Sequence, residues 1–307
     1  MTISVLMSTY NGEQYITTQL ESLLNQSMKI DEVVIIDDCS LDNTVSVVRE
    51  FIKSHGLEMS WKAYKNEKNV GWRVNFMQGI QKTTGDILLF SDQDDIWLEN
   101  KVEAVTRVLK ENPQIQVAAS NETLWTGEPV ENMRIMSSTY DLVELDATGK
   151  DYFILCSGCT MAIRRTYINR VLKYHKMGWA HDDFFWKMAG IDGALALIRE
   201  STILHRIHGA NESRKNRTLA ATLTGIQTDL MVAEQLLQYL RDGAPDIRDA
   251  QTKTQVVEHK MAGSTCRLQF FQTKRPGLLL KLAFRYSDIY RKKRQILKDF
   301  LLAWQGD

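Results

Sequence analysis

The stretch TTGDILLFSDQDDIWLENK, residues 83–101, carries four consecutive apolar residues, Ile87 to Phe90, that run into three carboxylates, Asp92, Asp94 and Asp95. A short apolar run bounded by turn residues reads as a buried strand. In an open α/β sheet, ligands bind beyond the carboxyl ends of the strands, so acids at this point are placed for chemistry. Capping of the helix expected after Trp97 accounts for one of them. It does not account for three, because clustered carboxylates repel and raise one another's pKa unless a cation neutralises them. Hard oxygen ligands suit Mg²⁺ or Mn²⁺, and such ions usually engage one or two carboxylates together with substrate phosphates.

Outward from this strand, short apolar runs alternate with helix-period segments. Strands are expected at Ile3 to Met7, Val33 to Ile36, Met59 to Tyr64 and Gln114 to Ala119. Helices are expected where Ile16, Leu20, Leu23 and Leu24 share one face, where Val45, Val48, Phe51 and Ile52 follow Ser40, and over Val74 to Ile80 and Val102 to Leu109, the last stopped before Pro113. That alternation predicts βαβ units and a mainly parallel, Rossmann-like nucleotide-binding half over residues 1–120. Its other strand ends are polar too: Ser8-Thr9-Tyr10-Asn11-Gly12-Glu13 and Asp37-Asp38-Cys39-Ser40. Neither GxGxxG nor GxxxxGK[ST] occurs at the first turn, so metal and side chains must hold phosphate instead of a glycine-rich backbone loop.

Residues 121–213 are less regular and are expected to meet the second substrate. A strand is expected over Thr160 to Ile163, a short helix near His181 to Met188 carrying His181-Asp182-Asp183, and strands at Ala194 to Ile198 and Ser201 to Ile207. Trp97 and Trp179 are candidates either for stacking on a ring face of a substrate or for the core. Residues 214–307 read as helical. Leu219, Leu223, Ile226, Leu230, Ala233, Leu237 and Leu240 recur at spacings of four and three, a heptad seam that either packs on its own domain or makes a homodimer.

The chain has 307 residues, 44% of them hydrophobic and 25% charged, with only 4 Pro, which excludes disorder and Pro-rich linkers. Lys plus Arg equal Asp plus Glu at 38 each, so nothing in the overall balance points to a nucleic-acid partner. Four cysteines are too few and scattered for a disulfide framework, and Cys156 and Cys159 are expected as two buried thiols in a reducing compartment. The apolar run at the N-terminus lacks a basic flank and a cleavage site, and no 18 apolar residues run together. A cytoplasmic protein, soluble or peripheral to the cell membrane, is expected.

The motifs SVLMSTYNGEQYI (4–16), VVIIDDCSLDNT (33–44) and TTGDILLFSDQDDIWLENK (83–101) resemble those of family 2 glycosyltransferases with the GT-A fold, a likeness that covers roughly residues 1–210. SDQDDIW with HRIHGAN at 205–211 is most similar to bacterial rhamnosyltransferases of cell-wall and surface polysaccharide synthesis, including polyrhamnose enzymes. The resemblance implies a mixed central sheet flanked by helices with a helical C-terminal extension, residues 1–120 binding the nucleotide sugar and 121–213 the acceptor. It implies that Ser8, Thr9, Tyr10, Asn11 and Glu13 line the nucleoside site and that Asp38 accepts the pyrimidine imide proton. Asp92, Gln93 and Asp94 match the DxD motif, with Asp94 and His208 as ligands of Mn²⁺ or Mg²⁺ and Asp92 and Arg206 on the nucleotide sugar. Arg206, Arg214 and Lys215 could neutralise the leaving group. Asp182, or Asp183 one position away, corresponds to the catalytic base. The implied reaction is inverting transfer of a sugar, with dTDP-β-L-rhamnose the expected donor, to a lipid-linked saccharide. Rival readings are use of a UDP-hexose, a nucleotidyltransferase, and a catalytically degenerate adaptor.

Between Lys274 and Lys298 there are nine basic residues against one acid, Asp288, interleaved with Leu278, Leu282, Phe284, Ile289, Ile296 and Leu297. That pattern fits either a helix lying on the anionic inner leaflet or a solvated charged face on a packed helix.

Overall fold

The computed structural model describes residues 1–127, 137, 139–208, 218–243 and 246–304. In chain order its first half runs β1 (Ile3–Thr9), α1 (Ile16–Leu24), β2 (Glu32–Asp37), α2 (Thr44–Ser54), β3 (Trp61–Lys65), α3 (Trp72–Gly79) and β4 (Ile87–Ser91). There follow β5 (Ile96–Trp97), α4 (Lys101–Glu111), β6 (Val117–Trp125), β7 (Tyr140–Val143), β8 (Ala162–Arg164), α5 (Arg165–Val171), α6 (His181–Asp192) and β9 (Leu195–Arg206). These strands form one mixed sheet in the order β3-β2-β1-β4-β8-β6-β9-β5, with β7 also paired to β9. The first four are parallel neighbours, whereas β8 lies antiparallel to both β4 and β6.

The sheet is covered on both faces, which is why its strands read as continuous apolar runs. Side chains alternate across it. Leu6, Val34, Ile36, Leu88 and Phe90 enter one core with α3, α6 and α7 (Leu219–Gly243). Val5, Met7, Val33, Ile35, Ile87 and Leu89 enter the other, against α1, α2 and α4. Each fully buried leucine-sized side chain contributes about 1.5–3 kcal/mol. Trp97 and Trp179, at 2% and 1% exposure, are core residues and offer no face to a sugar.

Two expected elements differ. The strand begun near Gln114 continues to Trp125, and the two strands expected over Ala194 to Ile207 are one twelve-residue strand, β9. The polar stretch Arg199-Glu200-Ser201 looks like an interruption in sequence. In the sheet it is absorbed by shifts in the β6–β9 register at Ser120/Asn121 and Asn121/Glu122, an irregularity of the kind that lets a strand bend without ending.

Beyond the sheet lie α7, α8 (Ala250–Thr273), α9 (Pro276–Phe284) and α10 (Gln295–Trp304). All seven heptad positions of α7 are filled from within the chain: Leu219, Leu223, Ile226 and Leu230 join the cluster formed with α8 to α10, and Ala233, Leu237 and Leu240 join the core of the sheet. The seam thus packs on its own domain, with Leu219, Leu223, Leu230 and Leu237 partly covered. Cys159 is buried but Cys156 is half-buried, so only one of the CxxC thiols is in the core. No helix among the described residues is long and apolar enough to cross a membrane.

The helical layer is fastened by an ion pair. Arg267 of α8 donates to both oxygens of Asp299 in α10, at 2.6 and 2.9 Å, and Tyr290 donates to the same carboxylate at 2.8 Å. Asp299 has no exposure to solvent. Replacing Arg267 with Met strands that carboxylate and should cost about 3–5 kcal/mol in urea unfolding, whereas adding Asp299→Leu should recover most of the loss.

Candidate active site

Three adjacent strands end at one rim, and the residues that follow them are knitted together by side chain to backbone bonds. Asp37 accepts from Thr9 Oγ1 at 2.9 Å and from the Ser40 amide at 2.8 Å, closing the turn after β2 against β1. Asn11, in the left-handed region at φ 48°, donates its amide to Ser40 Oγ and accepts from the Leu41 amide, each at 2.8 Å. Glu13 accepts from the amide and the side chain of Asn43. Ser8 Oγ accepts from Asn75 of α3 at 2.7 Å. Gln93 forms a two-point pair with the peptide of Tyr10, accepting its N–H at 2.8 Å and donating to its carbonyl at 3.0 Å. A side chain at position 12 would occupy the same space, since a Cβ there would lie 2.2 Å from Gln93 Oε1. The sequence expectation set these residues around a nucleoside. Thr9, Asn11, Glu13 and Gln93 spend side-chain atoms on one another's loops, while Tyr10 is 44% exposed.

Asp38 is 2% exposed and accepts three bonds, from Asn66 Nδ2, the Val70 amide and the Gly71 amide, at 2.8 to 2.9 Å. The last two belong to the turn that starts α3, so the carboxylate fixes that turn and is itself fixed. An ionised carboxylate has about four acceptor positions, which leaves one of them open.

The acid cluster owes its surroundings to the pairing of β5 with β9. Ile96 lies opposite Leu204 and Trp97 opposite Ile203, antiparallel. Continued backward, that register sets Asp95 beside His205 and Asp94 beside Arg206. Asp95 Oδ1 lies 2.9 Å from His205 Nδ1, Arg206 Nε donates to the Asp94 carbonyl at 2.9 Å, and His208 Nε2 lies 2.7 Å from Asp94 Oδ2. His208 stacks on Tyr15 at 4.7 Å, and the Arg206 guanidinium sits over Tyr15 and Trp125. Alternation along a strand sets positions 205 and 208 on opposite faces. Both nevertheless meet an acid, because the Asp94-Asp95 loop wraps the strand's edge.

Negative charge is in excess here. Burial and the neighbouring Asp95 and Asp94 push the Asp92 carboxyl up to about 8. Asp95 Oδ2 and Glu122 Oε2 are buried without an N–H or O–H partner among the described residues. Beneath them, Lys101 is completely buried, donates to the Cys159 carbonyl and lies 3.9 Å from the centre of the Trp97 ring; burial pulls it down to about 8. Partnerless carboxylate oxygens beside a protonation-prone Asp92 are what a hard divalent cation would satisfy, so the residues present fit one.

Asp182 and Asp183 open α6 and differ in their engagement. Asp183 accepts from Trp179 Nε1 at 2.8 Å and from the Lys187 ammonium. Asp182 accepts the Asp183 amide at 2.8 Å, and burial raises its carboxyl to about 6. Its charge is among those that raise Asp92. Next to it, His181 is enclosed by Phe76 and Phe90, and burial lowers it to about 3. Sequence reasoning gave no role to Lys101, Asn75 or Glu122, whose parts depend on long-range contacts without local pattern. Of the HRIHGAN motif, residues 209–211 lie outside the described residues, as do Arg214 and Lys215.

Residues 4–172 match the model of the family described as glycosyl transferase family 2. An uncharacterized glycosyltransferase of Nostoc is 24% identical over 252 residues, covering 79% of this chain and 75% of that protein. The dTDP-rhamnosyl transferase RfbG of Shigella flexneri is 28% identical over 228 residues, covering 70% of this chain and 76% of that protein. The crystal structure of residues 1–349 of TarS from S. aureus in complex with UDP-GlcNAc superposes with a TM-score of 0.66 at 18% identity, covering 96% of this chain and 84% of that one, and shares the fold.

The His205–Asp95 pair makes a pH prediction. The bonded carboxylate raises His205 from 6.5 to about 9. A raised histidine stabilises the fold fully below its unfolded value and loses that contribution as pH climbs through its folded one. Unfolding free energy should therefore fall between pH 6.5 and about 9. Asp95→Asn should flatten that slope in denaturant titrations across the range.

Proposed function

The chain belongs to glycosyl transferase family 2, and on that premise we propose that it is a metal-dependent inverting transferase that moves L-rhamnose from dTDP-β-L-rhamnose to a hydroxyl of a lipid-linked saccharide in cell-wall polysaccharide synthesis. The observation that supports this reading is the cluster after β4, where Asp94 bonds His208 and the charges of Asp94 and Asp182 act on Asp92, with Asp38 following β2 at the same end of the parallel strands. The likeness to a dTDP-rhamnosyl transferase supports the choice of donor.

Asp38, oriented by its three donors, keeps an acceptor position for the N–H of a uracil or thymine imide, which cytosine lacks. Asp94 and His208 would hold Mn²⁺ or Mg²⁺ with Asp92 alongside, and the ion would offset the charge that develops on the departing nucleoside diphosphate. Arg206, fixed on the Asp94 carbonyl and over two rings, presents a cation at the same place. An acceptor hydroxyl has a pKa far above neutrality, so its attack on the anomeric carbon needs a carboxylate to take the proton as the new bond forms. Asp182 serves as that base, since Asp183 is occupied by Trp179 and Lys187. One displacement breaks the bond to the diphosphate as the acceptor oxygen attacks from the opposite face, which turns a β-linked donor into an α-linked product. A base raised to about 6 must lose its proton before it can act.

Incubation with a panel of nucleotide sugars and Mn²⁺ should release nucleoside diphosphate fastest from dTDP-rhamnose; equal turnover of UDP-glucose would remove that donor. Asp182→Asn should lower kcat by about 10²–10⁴ at unchanged nucleotide affinity, and the wild-type kcat/KM should rise with pH through about 6. A variant as fast as wild type ends the base assignment.

A further inference from the structure

The two last helices leave an apolar surface uncovered. In α10, Asp299 and Ala303 face inward and are buried, with Ile296 partly covered, whereas Leu297, Phe300, Leu301 and Trp304 fall at i, i+3, i+4 and i+7 and face out. In α9, Leu282 is buried while Leu280 and Phe284 are 60% and 86% exposed. Of the sixteen large hydrophobic side chains exposed among the described residues, these six fall within residues 280–304. Scattered single residues need no explanation, but a concentration of this kind marks an interaction surface.

Its charge names the partner. Lys281, Arg285, the run from Arg291 to Arg294, and Lys298 are all exposed. The acids of the segment are engaged internally: Asp288 with Lys260 at 2.7 Å and His259 at 3.0 Å, Asp299 with Arg267 and Tyr290. The outward field is therefore positive. A second copy would fit poorly, because a twofold contact sets the same patch against itself and opposes cation to cation. An apolar row flanked by cations instead matches an interface where lipid phosphates lie above acyl chains.

We propose that the outer face of α9 and α10 docks on an anionic lipid bilayer. The surface also connects to the site. Arg291 donates to the carbonyl of Ile154, and Leu155 beyond it is 53% exposed. Four residues after Ile154, Gly158 abuts the start of α6, where a Cβ would stand 2.3 Å from His181 Nε2 and 3.1 Å from the Asp182 Cβ. Four residues span at most ~14 Å, so docking would bring Asp182 close to the headgroup layer. That second step rests on the proposed lipid-linked acceptor; the docking itself does not.

The test is flotation of the full-length protein with vesicles of phosphatidylcholine alone or mixed with phosphatidylglycerol, at low and high salt. Wild type should float with the anionic vesicles only, and salt should weaken it. Phe284→Ser/Leu297→Ser/Leu301→Ser alters exposed positions and should lower partitioning at least about tenfold, with the same unfolding midpoint and the same affinity for nucleoside diphosphate. Arg294→Glu/Lys298→Glu should lower it too. Absence of flotation, equal flotation of the serine variant, or a dimer in sedimentation that the serine variant dissociates would overturn the proposal. Because vesicle binding is read without turnover, a failed transferase assay leaves this result intact.

Discussion

Too many carboxylates occupy one end of this sheet for the space to be electrically quiet, and much of the local architecture answers that condition. Asp92, Asp94, Asp95 and Glu122 meet where β4 ends and β9 passes, and the protein's own side chains reach some of them. His205 takes Asp95, His208 takes Asp94, and the Lys101 ammonium lies underneath. What stays without an N–H or O–H partner among the described residues is specific: one oxygen of Asp95 and one of Glu122, beside an Asp92 that holds its proton to about 8. Like charges that cannot separate either neutralise by protonation or recruit a counterion. The fold fixes these acids by strand pairing, so they cannot move apart.

This arrangement also separates the part of the site that is legible in sequence from the part that is not. The apolar runs before Asp38 and Asp92 identify strands, and the rule that ligands gather at strand ends locates the acids without coordinates. Asp94 and His208, 114 residues apart, had been paired by resemblance and lie 2.7 Å apart. Nothing local in the sequence states the register of Ile96 against Leu204, on which that meeting depends. A two-residue strand at a sheet edge is too short to show a period. Lys101 was hidden for a related reason: within a helix it looks like any exposed lysine, and only the fold carries it under the acid loop. The break read between Ile198 and Ser201 had the opposite cause, a polar bulge in a strand that continues.

Several residues that the resemblance assigns to the nucleoside support the loops of the rim. Gln93 shows how the two roles combine. Its amide pairs with the peptide of Tyr10 on both edges, so the loop after β4 and the loop after β1 are one mechanical unit. Asp37, Asn11 and Glu13 tie the loop after β1 to the loop after β2 in the same way. A site that must hold a diphosphate between loops from separate strands gains from having the loops bonded to one another beforehand, because positional freedom removed in folding is not lost again on binding.

The same economy distinguishes the two acids that open α6. A carboxylate that accepts from an indole N–H and from a lysine has its acceptor positions occupied; that is the position of Asp183. A base needs the reverse: charge that is costly to keep, and an unfilled acceptor position directed at the substrate. Asp182 is raised to about 6 by burial, accepts the Asp183 amide, and adds its own charge to those that raise Asp92.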